Sequence, residues 1–356
     1  MQSAPRVAFY APMKAPDHPT PSGDRKIARL TLTALERAGF APFVASELRT
    51  LDIMGNAVAQ TAIWAAAEAE ITRIVPALAA APPDLWFTYH SYYKAPDLIG
   101  PTVSQELGIP YVVSEPSVSA KRRDGAWSAF AKASEQAIGA ADLLFWTTER
   151  DRPALEEAGY SSKMQHLPAF LDPGPAPRSA KAGNPLRLLT VAMMRPGDKI
   201  ESYRRIAAAL IHLTVDWQLE IIGDGPGRPE VEDLFNGLTG PVHFLGAMDD
   251  ASAIRAHMDA SDLFLWPGVN EGVGMVWLEA QAAGLPVIAE DHPAAQALVQ
   301  NRLGAPSDAA RLADLIVETA AGLPARAASA RAHVEQHHSL NSASIALRDA
   351  MSELLG

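Results

Sequence analysis

Residues 263–289 read LFLWPGVNEGVGMVWLEAQAAGLPVIA, and the order of residue types in this stretch predicts a strand, a loop, a helix and a second strand. Two short apolar runs, Leu263–Trp266 and Pro286–Ala289, flank a longer apolar segment that begins with glycines. A strand followed by a crossover helix and another strand forms a βαβ unit, in which the strands are parallel. The stretch therefore predicts a parallel sheet with both faces buried.

Similar apolar runs, separated by segments with helical periodicity, recur along the whole chain. Residues 27–38 show that periodicity, and Gly39 ends the predicted helix. The first half carries the predicted strands Val7–Tyr10, Pro42–Ala45, Leu85–Tyr89, Tyr111–Ser114 and Leu143–Thr147. The second half carries Leu188–Ala192, Leu219–Ile222, Val242–Leu245, Leu263–Trp266 and Pro286–Ala289. The alternation predicts an α/β fold of two doubly wound, Rossmann-like domains.

Composition narrows the class of protein. The 356 residues exceed what one hydrophobic core usually spans, which agrees with two domains. The net charge of -11 opposes non-specific binding to nucleic acid, so none is expected as a partner. The absence of cysteine excludes disulfides, thiolate metal sites and thiol nucleophiles. The first residues lack the apolar run of a secretory signal, which predicts a cytoplasmic protein.

A segment rich in proline and glycine, DPGPAPRSAKAGNP at residues 172–185, marks the predicted boundary between the domains. Its near lack of apolar residues is typical of an exposed connection. We predict one domain over residues 1–172, a linker over 173–185 and a second domain over 186–330.

Three loops of the second domain follow strands and precede helices, where open parallel sheets bind their ligands. The first contains Arg195 and Lys199, the second contains Gly223 and Gly225, and the third is PGVNEGVG. Each feature alone is more typical of a solvated charge or a turn glycine. Together, two cations and glycine-rich turns beside helix N-termini predict a site for a diphosphate.

Two glutamates flank the start of the helix in the third loop. If the helix begins around Gly272–Gly274, Glu271 lies just ahead of it and Glu279 lies about two turns inside. Carboxylates accept hydrogen bonds from hydroxyls, so the pair is suited to hold sugar hydroxyls on either side of a diphosphate. The alternative is that Glu271 complements the helix dipole and Glu279 is a solvated side chain.

The run PGVNEGVGMVWLEAQAAGLPVIA resembles the signature of family 4 retaining glycosyltransferases, with two glutamates separated by seven residues. The segments LLTVAMMRPGDK, LEIIGDGPG, VHFLG and ASDLFLWPG are similar to family segments in the same order. The resemblance implies the GT-B fold, in which two Rossmann-like domains face a central cleft. It also implies that the first domain binds the acceptor, that the second binds the nucleotide-sugar, and that residues 331–356 form a helix that packs back on the first domain.

The resemblance assigns roles to residues of the second domain. It implies that Glu271 contacts the donor sugar, that Glu279 binds the ribose, and that Arg195 and Lys199 hold the diphosphate. The amides of Gly272, Val273 and Gly274 are expected on the phosphate or sugar. The pocket for the base is expected near Phe244 and Leu245.

The first domain carries fewer matching positions. Gly23 resembles the glycine turn that closes over the diphosphate, and His90 resembles the family's histidine near the anomeric carbon. The alternative for His90 is a buried histidine paired with backbone. Asp24 and Arg25, beside Gly23, are placed on the acceptor side.

A basic cluster, Lys121, Arg122 and Arg123, precedes Trp127. Basic residues beside an interfacial aromatic suit either an acceptor phosphate or peripheral contact with an anionic membrane. A solvated face is the third interpretation.

The resemblance thus implies transfer of a hexose-type sugar from a nucleotide-diphosphate sugar to a hydroxyl of a saccharide or lipid-linked acceptor, with retention of configuration. No cofactor or metal is expected, since the chain has no metal-binding motif such as H-E-x-x-H. Synthesis of cell-envelope polysaccharide or glycolipid, at the inner face of the membrane, is the expected setting. A nucleotide-sugar epimerase of the same fold and a two-lobed solute-binding protein are the alternatives.

Overall fold

The computed structural model describes residues 3–20, 22–176, 183–299 and 308–356. The chain divides into two compact units, one formed by Met1–Pro168 with Leu340–Gly356 and the other by Ala169–Ser339. The division after residue 168 lies four residues before the predicted end of the first domain. Part of the predicted linker, residues 177–182, lies outside the described residues.

The first unit is an α/β layer structure whose described strands form one sheet. Its strands are β1 (Arg6–Tyr10), β2 (Ala41–Ser46), β3 (Leu85–Tyr89), β4 (Tyr111–Ser114), β5 (Leu143–Trp146) and β6 (Met164–His166). Its helices are α1 (Gly23–Arg37), α2 (Ala57–Ala80), α3 (Gly100–Leu107), α4 (Ser128–Ala140) and α5 (Arg152–Glu157). The strand order is β2-β1-β3-β4-β5-β6, and neighbouring strands are parallel.

The second unit repeats this architecture. Its strands are β7 (Leu186–Val191), β8 (Trp217–Ile222), β9 (Val242–Gly246), β10 (Leu263–Leu265) and β11 (Val287–Ile288). Its helices are α6 (Asp198–Leu210), α7 (Arg228–Leu234), α8 (Ala251–Ala260), α9 (Met275–Ala282), α10 (Pro293–Leu298), α11 (Ala309–Ala321) and α12 (Leu323–His337). The strand order is β11-β10-β7-β8-β9, again with parallel neighbours.

The last helix, α13 (Leu340–Leu355), belongs to the first unit, where it packs against α1. The chain therefore returns to the first unit at residue 340, whereas residues 331–337 remain in α12 of the second unit. Leu347 and Met351 of α13 are fully buried. Tertiary packing of this apolar face therefore holds the amphipathic terminal helix in the first unit.

The predicted strands coincide with observed strands, and most of them are apolar runs that are largely buried. Strands β2 and β9 are the exceptions, since most of their residues are only partly buried. All five residues of β3 are buried, as are all three of β10. Strand β6 was missed by the sequence analysis, since Gln165 and His166 are exposed at the edge of the sheet and give no apolar run. Among the described residues, no helix is long and apolar enough to cross a membrane.

Candidate active site

The second unit places the three predicted loops side by side at the carboxyl ends of its strands. Residues 192–197 follow β7, residues 223–227 follow β8, and residues 266–274 follow β10. Since β7 is hydrogen-bonded to both β8 and β10, the ends of these strands are neighbours. This is the edge at which parallel sheets bind ligands.

The glycines after β8 allow two of these loops to contact each other through their backbones. A Cβ on Gly223 would lie 1.9 Å from the carbonyl oxygen of Ala192, and one on Gly225 would lie 2.4 Å from that of Met194. Both glycines also have positive φ, 148° and 155°. Close backbone packing therefore requires glycine at both positions. The spacing of the glycines in the sequence does not reveal this requirement.

A compact cluster forms where α6 meets the loop after β10. The Nζ atom of Lys199 lies 2.5 Å from Oε2 of Glu271, and Nε1 of Trp266 donates to the same oxygen over 3.2 Å. The Lys199 ammonium also lies 5.2 Å from the centroid of the Trp266 ring. We call Lys199, Trp266 and Glu271 the lysine–glutamate cluster. Its two charged side chains are only 29% and 17% exposed, so their attraction is partly shielded from solvent.

Two further hydrogen bonds hold the loop after β10 on the first turns of α6. The Val269 amide donates to the hydroxyl of the buried Ser202 over 3.0 Å, and the Asn270 side chain donates to Asp198 over 3.1 Å. Asn270 adopts a positive φ of 51°, a conformation that asparagine tolerates better than most residues. These contacts set the position of Glu271, the next residue.

Helix α9 begins at Met275, slightly later than the predicted start at Gly272–Gly274. Three consecutive amides, those of Gly272, Val273 and Gly274, donate to no acceptor within the described residues. A Cβ on Gly274 would lie 2.1 Å from the fully buried ring of Trp277, so glycine is needed there for packing. Free amides ahead of a helix can bind anionic or hydroxyl oxygens.

The other residues predicted to bind the donor sugar nucleotide are not part of the lysine–glutamate cluster. Arg195 is exposed, and its guanidinium makes no ion pair with any described residue. Glu279 is partly buried in the second turn of α9. Phe244 and Leu245, in β9, are half-buried, and the Phe244 ring packs edge-on against Phe235 at 6.1 Å.

The first unit brings His90 and Asp24 together. His90 follows β3 with a positive φ of 61°, and its Nδ1 lies 3.3 Å from Oδ1 of Asp24, in the first turn of α1. The contact is at ion-pair distance but is not aligned as a hydrogen bond. The alternative interpretation, a histidine ring paired with backbone, is not what the structure shows, because the contact is with a carboxylate.

Two acids that the sequence analysis missed also act on His90 through their charge. Burial by itself lowers the pKa of His90, but Asp24, Glu115 and Asp151 outweigh it and raise the pKa. Burial raises the pKa of Glu115, partly offset by His90. Glu115 and Asp151 lie beyond the carboxyl ends of β4 and β5, so the strand-end reasoning that was applied to the second unit would have found them in the first.

The pKa shifts of His90 and Asp24 predict a pH-dependent stability. The raised pKa of His90 stabilises the fold below the unfolded value, about 6.5, and this stabilisation is lost as the pH rises through the folded pKa. Burial by itself raises the pKa of Asp24, but contact with His90 lowers it, so its contribution is lost as the pH falls through the folded pKa. We expect the melting temperature to fall from about pH 6 to about pH 8 less steeply in His90→Gln than in the wild type.

Thermal unfolding of both proteins across this range measures the difference. Asp24→Asn is the matched variant, since it removes the partner and leaves the histidine. It should flatten the profile in the same direction. Parallel profiles for all three proteins would show that the pair does not contribute.

The remaining predicted residues of the first unit lie on its surface. Gly23 is the first residue of α1, and a Cβ there would meet no described atom within 4 Å, so packing does not require glycine. Arg25 donates to the Pro19 carbonyl over 3.3 Å. Residues 121–123 are exposed in and beside a short turn, and Arg123 pairs with Glu135 at 2.9 Å.

Comparison with known proteins shows which family the second unit resembles. Residues 185–321 match the family model described as Glycosyl transferases group 1. A segment of 107 residues is 31% identical to sulfoquinovosyl transferase SQD2 of Arabidopsis thaliana and covers 30% of this chain and 20% of that protein. A segment of 133 residues is 35% identical to GDP-mannose-dependent monoacylated alpha-(1-6)-phosphatidylinositol monomannoside mannosyltransferase of Corynebacterium glutamicum. It covers 34% of this chain and 35% of that protein, so the matches span about a third or less of these relatives.

Solved structures extend the likeness to the whole chain. HepE of Anabaena in complex with UDP matches with a TM-score of 0.68 over 98% of this chain and 100% of that chain, at 15% identity. Likeness at this identity shows the fold, and the predicted GT-B fold is confirmed. Residues 185–321 are therefore similar to the group 1 glycosyl transferases, and the chain that carries them has the GT-B fold.

Proposed function

We propose that this protein transfers a hexose-type sugar from a nucleotide-diphosphate sugar to an acceptor hydroxyl, with retention of configuration and without a metal ion. The observation that carries the proposal is the lysine–glutamate cluster at the carboxyl edge of the second sheet. A cation and a carboxylate are held there by one tryptophan, beside three amides that have no acceptor among the described residues.

The cationic part of the site suits a diphosphate leaving group. An ammonium has three donors, and Glu271 engages one of those on Lys199, which leaves donors for phosphate oxygens. The exposed Arg195 lies in the same loop region, just ahead of α6. Positioned cations and amides stabilise the charge that develops on a departing diphosphate, which is the role that we assign to them.

The acidic part of the site suits a sugar. Lys199 and Trp266 both donate to Oε2 of Glu271, and no described residue donates to Oε1. That oxygen can accept a hydrogen bond from a hydroxyl of the donor sugar. We propose that Glu271 orients this sugar and that Glu279 binds the ribose. The acceptor then attacks from the face of the departing diphosphate, and a phosphate oxygen takes the acceptor's proton.

The class of acceptor is also a proposal. The Corynebacterium relative is named for a phosphatidylinositol mannoside, a lipid-linked saccharide. HepE was crystallised with UDP, a nucleoside diphosphate. We propose a lipid-linked or saccharide acceptor for this chain, in glycolipid or polysaccharide synthesis.

A thermal-shift screen with UDP, GDP and ADP and their hexose derivatives tests the proposal. A ligand at about a hundred times its Kd stabilises the folded state by about 2.7 kcal/mol, so one nucleotide series should raise the melting temperature. Arg195→Ala should weaken this shift. A complete absence of shifts would contradict the donor site.

The donor that binds is then incubated with and without a saccharide acceptor. We expect an anomeric linkage of the product, read by NMR, that matches the donor, and a rate that is unchanged by a chelator. An inverted linkage, or activity restored only by a divalent ion, would contradict the mechanism. Isomerised sugar from donor alone would instead identify an epimerase.

A further inference from the structure

We propose that Glu290 is a positioning residue for the lysine–glutamate cluster, which it holds in place through Arg205 of α6. The inference rests on the proposed function, because it assigns Glu290 a part in the same transfer. Glu290 follows β11, the strand beside β10, and therefore lies at the carboxyl edge of the second sheet together with the three predicted loops.

The Glu290 carboxylate is buried with a charged partner. Only 8% of the residue is exposed, and its Oε2 atom accepts a hydrogen bond from Nη1 of Arg205, which lies past the middle of α6. The other oxygen, Oε1, is buried and accepts from no described residue. A charge buried to this extent needs its countercharge. Since both oxygens are shielded, we infer that Glu290 acts on the site through Arg205 and not by contact with a ligand.

Arg205 lies on the face of α6 that meets the neighbouring loops. Asp198, Ser202 and Arg205 occupy positions i, i+4 and i+7, so they fall on one face of the helix. Asp198 and Ser202 accept hydrogen bonds from the loop after β10, and Arg205 contacts the loop after β11. Contacts spread along about 10 Å of helix fix both its position and its rotation.

Glu290 is also fastened to the loop that carries Glu271. Its amide donates to the Pro267 carbonyl over 3.0 Å, so its backbone joins the start of the loop after β10. Its side chain meanwhile joins α6, the helix that carries Lys199. The contact of 2.5 Å between Nζ of Lys199 and Oε2 of Glu271 therefore depends on two elements that Glu290 links.

The guanidinium of Arg205 suits this link because it is held at two points. Its Nε atom donates to Oε1 of Glu201, one turn earlier in α6, over 3.1 Å, while Nη1 reaches Glu290. Two donors in a fixed geometry hold the side chain between helix and loop, which a single ammonium does not do. Such precision matters at a reacting centre, where a misplacement of about 1 Å can cost about 10²-fold in rate.

Glu290→Gln tests the proposal, since it keeps the shape of the side chain and removes its charge. We expect kcat to fall about 10- to 100-fold, with a smaller change in KM for the donor, because Lys199 is displaced. In the Lys199→Ala background, Glu290→Gln should cause no further loss of kcat, since the group that it positions is absent. Arg205→Lys is the second variant, and it should reproduce the loss although the positive charge remains.

Asp262→Asn is the matched control. Asp262 is 4% exposed and pairs with Arg187 over 2.7 Å, but the pair lies at the amino ends of β10 and β7, the opposite edge of the same sheet. This variant should lower the melting temperature at least as much as Glu290→Gln does, while kcat stays near the wild-type value. Equal losses of kcat in the two variants, wild-type kcat in Glu290→Gln, or a full further loss in the Lys199→Ala background would each overturn the proposal.

Hydrogen exchange without donor separates this inference from the proposed transfer. The Val269 amide is bonded to Ser202 across the contact between loop and helix, so Glu290→Gln should speed exchange in residues 266–274, whereas Asp262→Asn should not. Faster exchange in a protein that transfers no sugar would confirm the link through Glu290 and contradict only the proposed function. Unchanged exchange in a protein that transfers sugar would overturn the role of Glu290 and leave the proposed function intact.

Discussion

Lys199→Ala is expected to lower turnover of the donor by about 10²- to 10³-fold, the effect of removing one donor from a preorganised charged site. The side chain would supply positive charge to the departing diphosphate. Its loss also leaves the Glu271 carboxylate, 17% exposed, without the cation that lies 2.5 Å away. Steady-state kinetics with the donor identified in the thermal-shift screen measure the change, which should appear mainly in kcat.

Arg204→Ala is the matched control for Lys199→Ala. Arg204 lies on the same helix, α6, but its side chain is 50% exposed and pairs with Glu201 and Glu230. This variant should keep nearly wild-type turnover. Full turnover by Lys199→Ala would remove Lys199 from the mechanism.

A double-mutant cycle with Glu271→Gln tests whether Lys199 and Glu271 act as a pair. Glu271→Gln keeps the shape of the side chain but removes its charge, and by itself it should also abolish most transfer. Contacting residues show coupling of about 0.5–3 kcal/mol, so the double variant should be less impaired than the product of the single effects. Strictly additive effects would show that the contact has no functional role.

Gly223→Ala is expected to destabilise the second unit strongly. The backbone at φ 148° is strained for any residue with a Cβ, at a cost of about 1–3 kcal/mol. The new methyl group would also lie 1.9 Å from the Ala192 carbonyl oxygen, and overpacking of this kind costs about another 1–3 kcal/mol. Chemical denaturation, followed by tryptophan fluorescence, should show the loss.

Gly237→Ala separates the two contributions. Gly237 has φ 80°, but a Cβ there would meet no described atom within 4 Å, so this variant carries strain alone. It should lose only about 1–2 kcal/mol. Equal losses in both variants would show that contact with the loop after β7 is unimportant. A Gly223→Ala protein of normal stability that no longer binds donor would instead assign Gly223 to ligand contact.

The lysine–glutamate cluster illustrates how far strand-end reasoning reaches. It selected Lys199 and Glu271, because both follow strands of a parallel sheet. It did not select Trp266, although this residue donates a hydrogen bond to Glu271. A tryptophan at the end of an apolar run looks like a core residue, and only its neighbours show which atom its indole nitrogen contacts.

The sequence by itself determined the fold class, the strands that form continuous apolar runs, and the strand ends at which charged residues collect. These properties depend on local periodicity and composition, which are written along the chain. The tertiary structure decided which side chains meet, such as His90 with Asp24 and Lys199 with Glu271. It also decided that Gly223 must be glycine, because a Cβ there would clash with the carbonyl oxygen of Ala192. These contacts join residues far apart in sequence, and their distances depend on how helices and loops pack on the sheet, which no local pattern records.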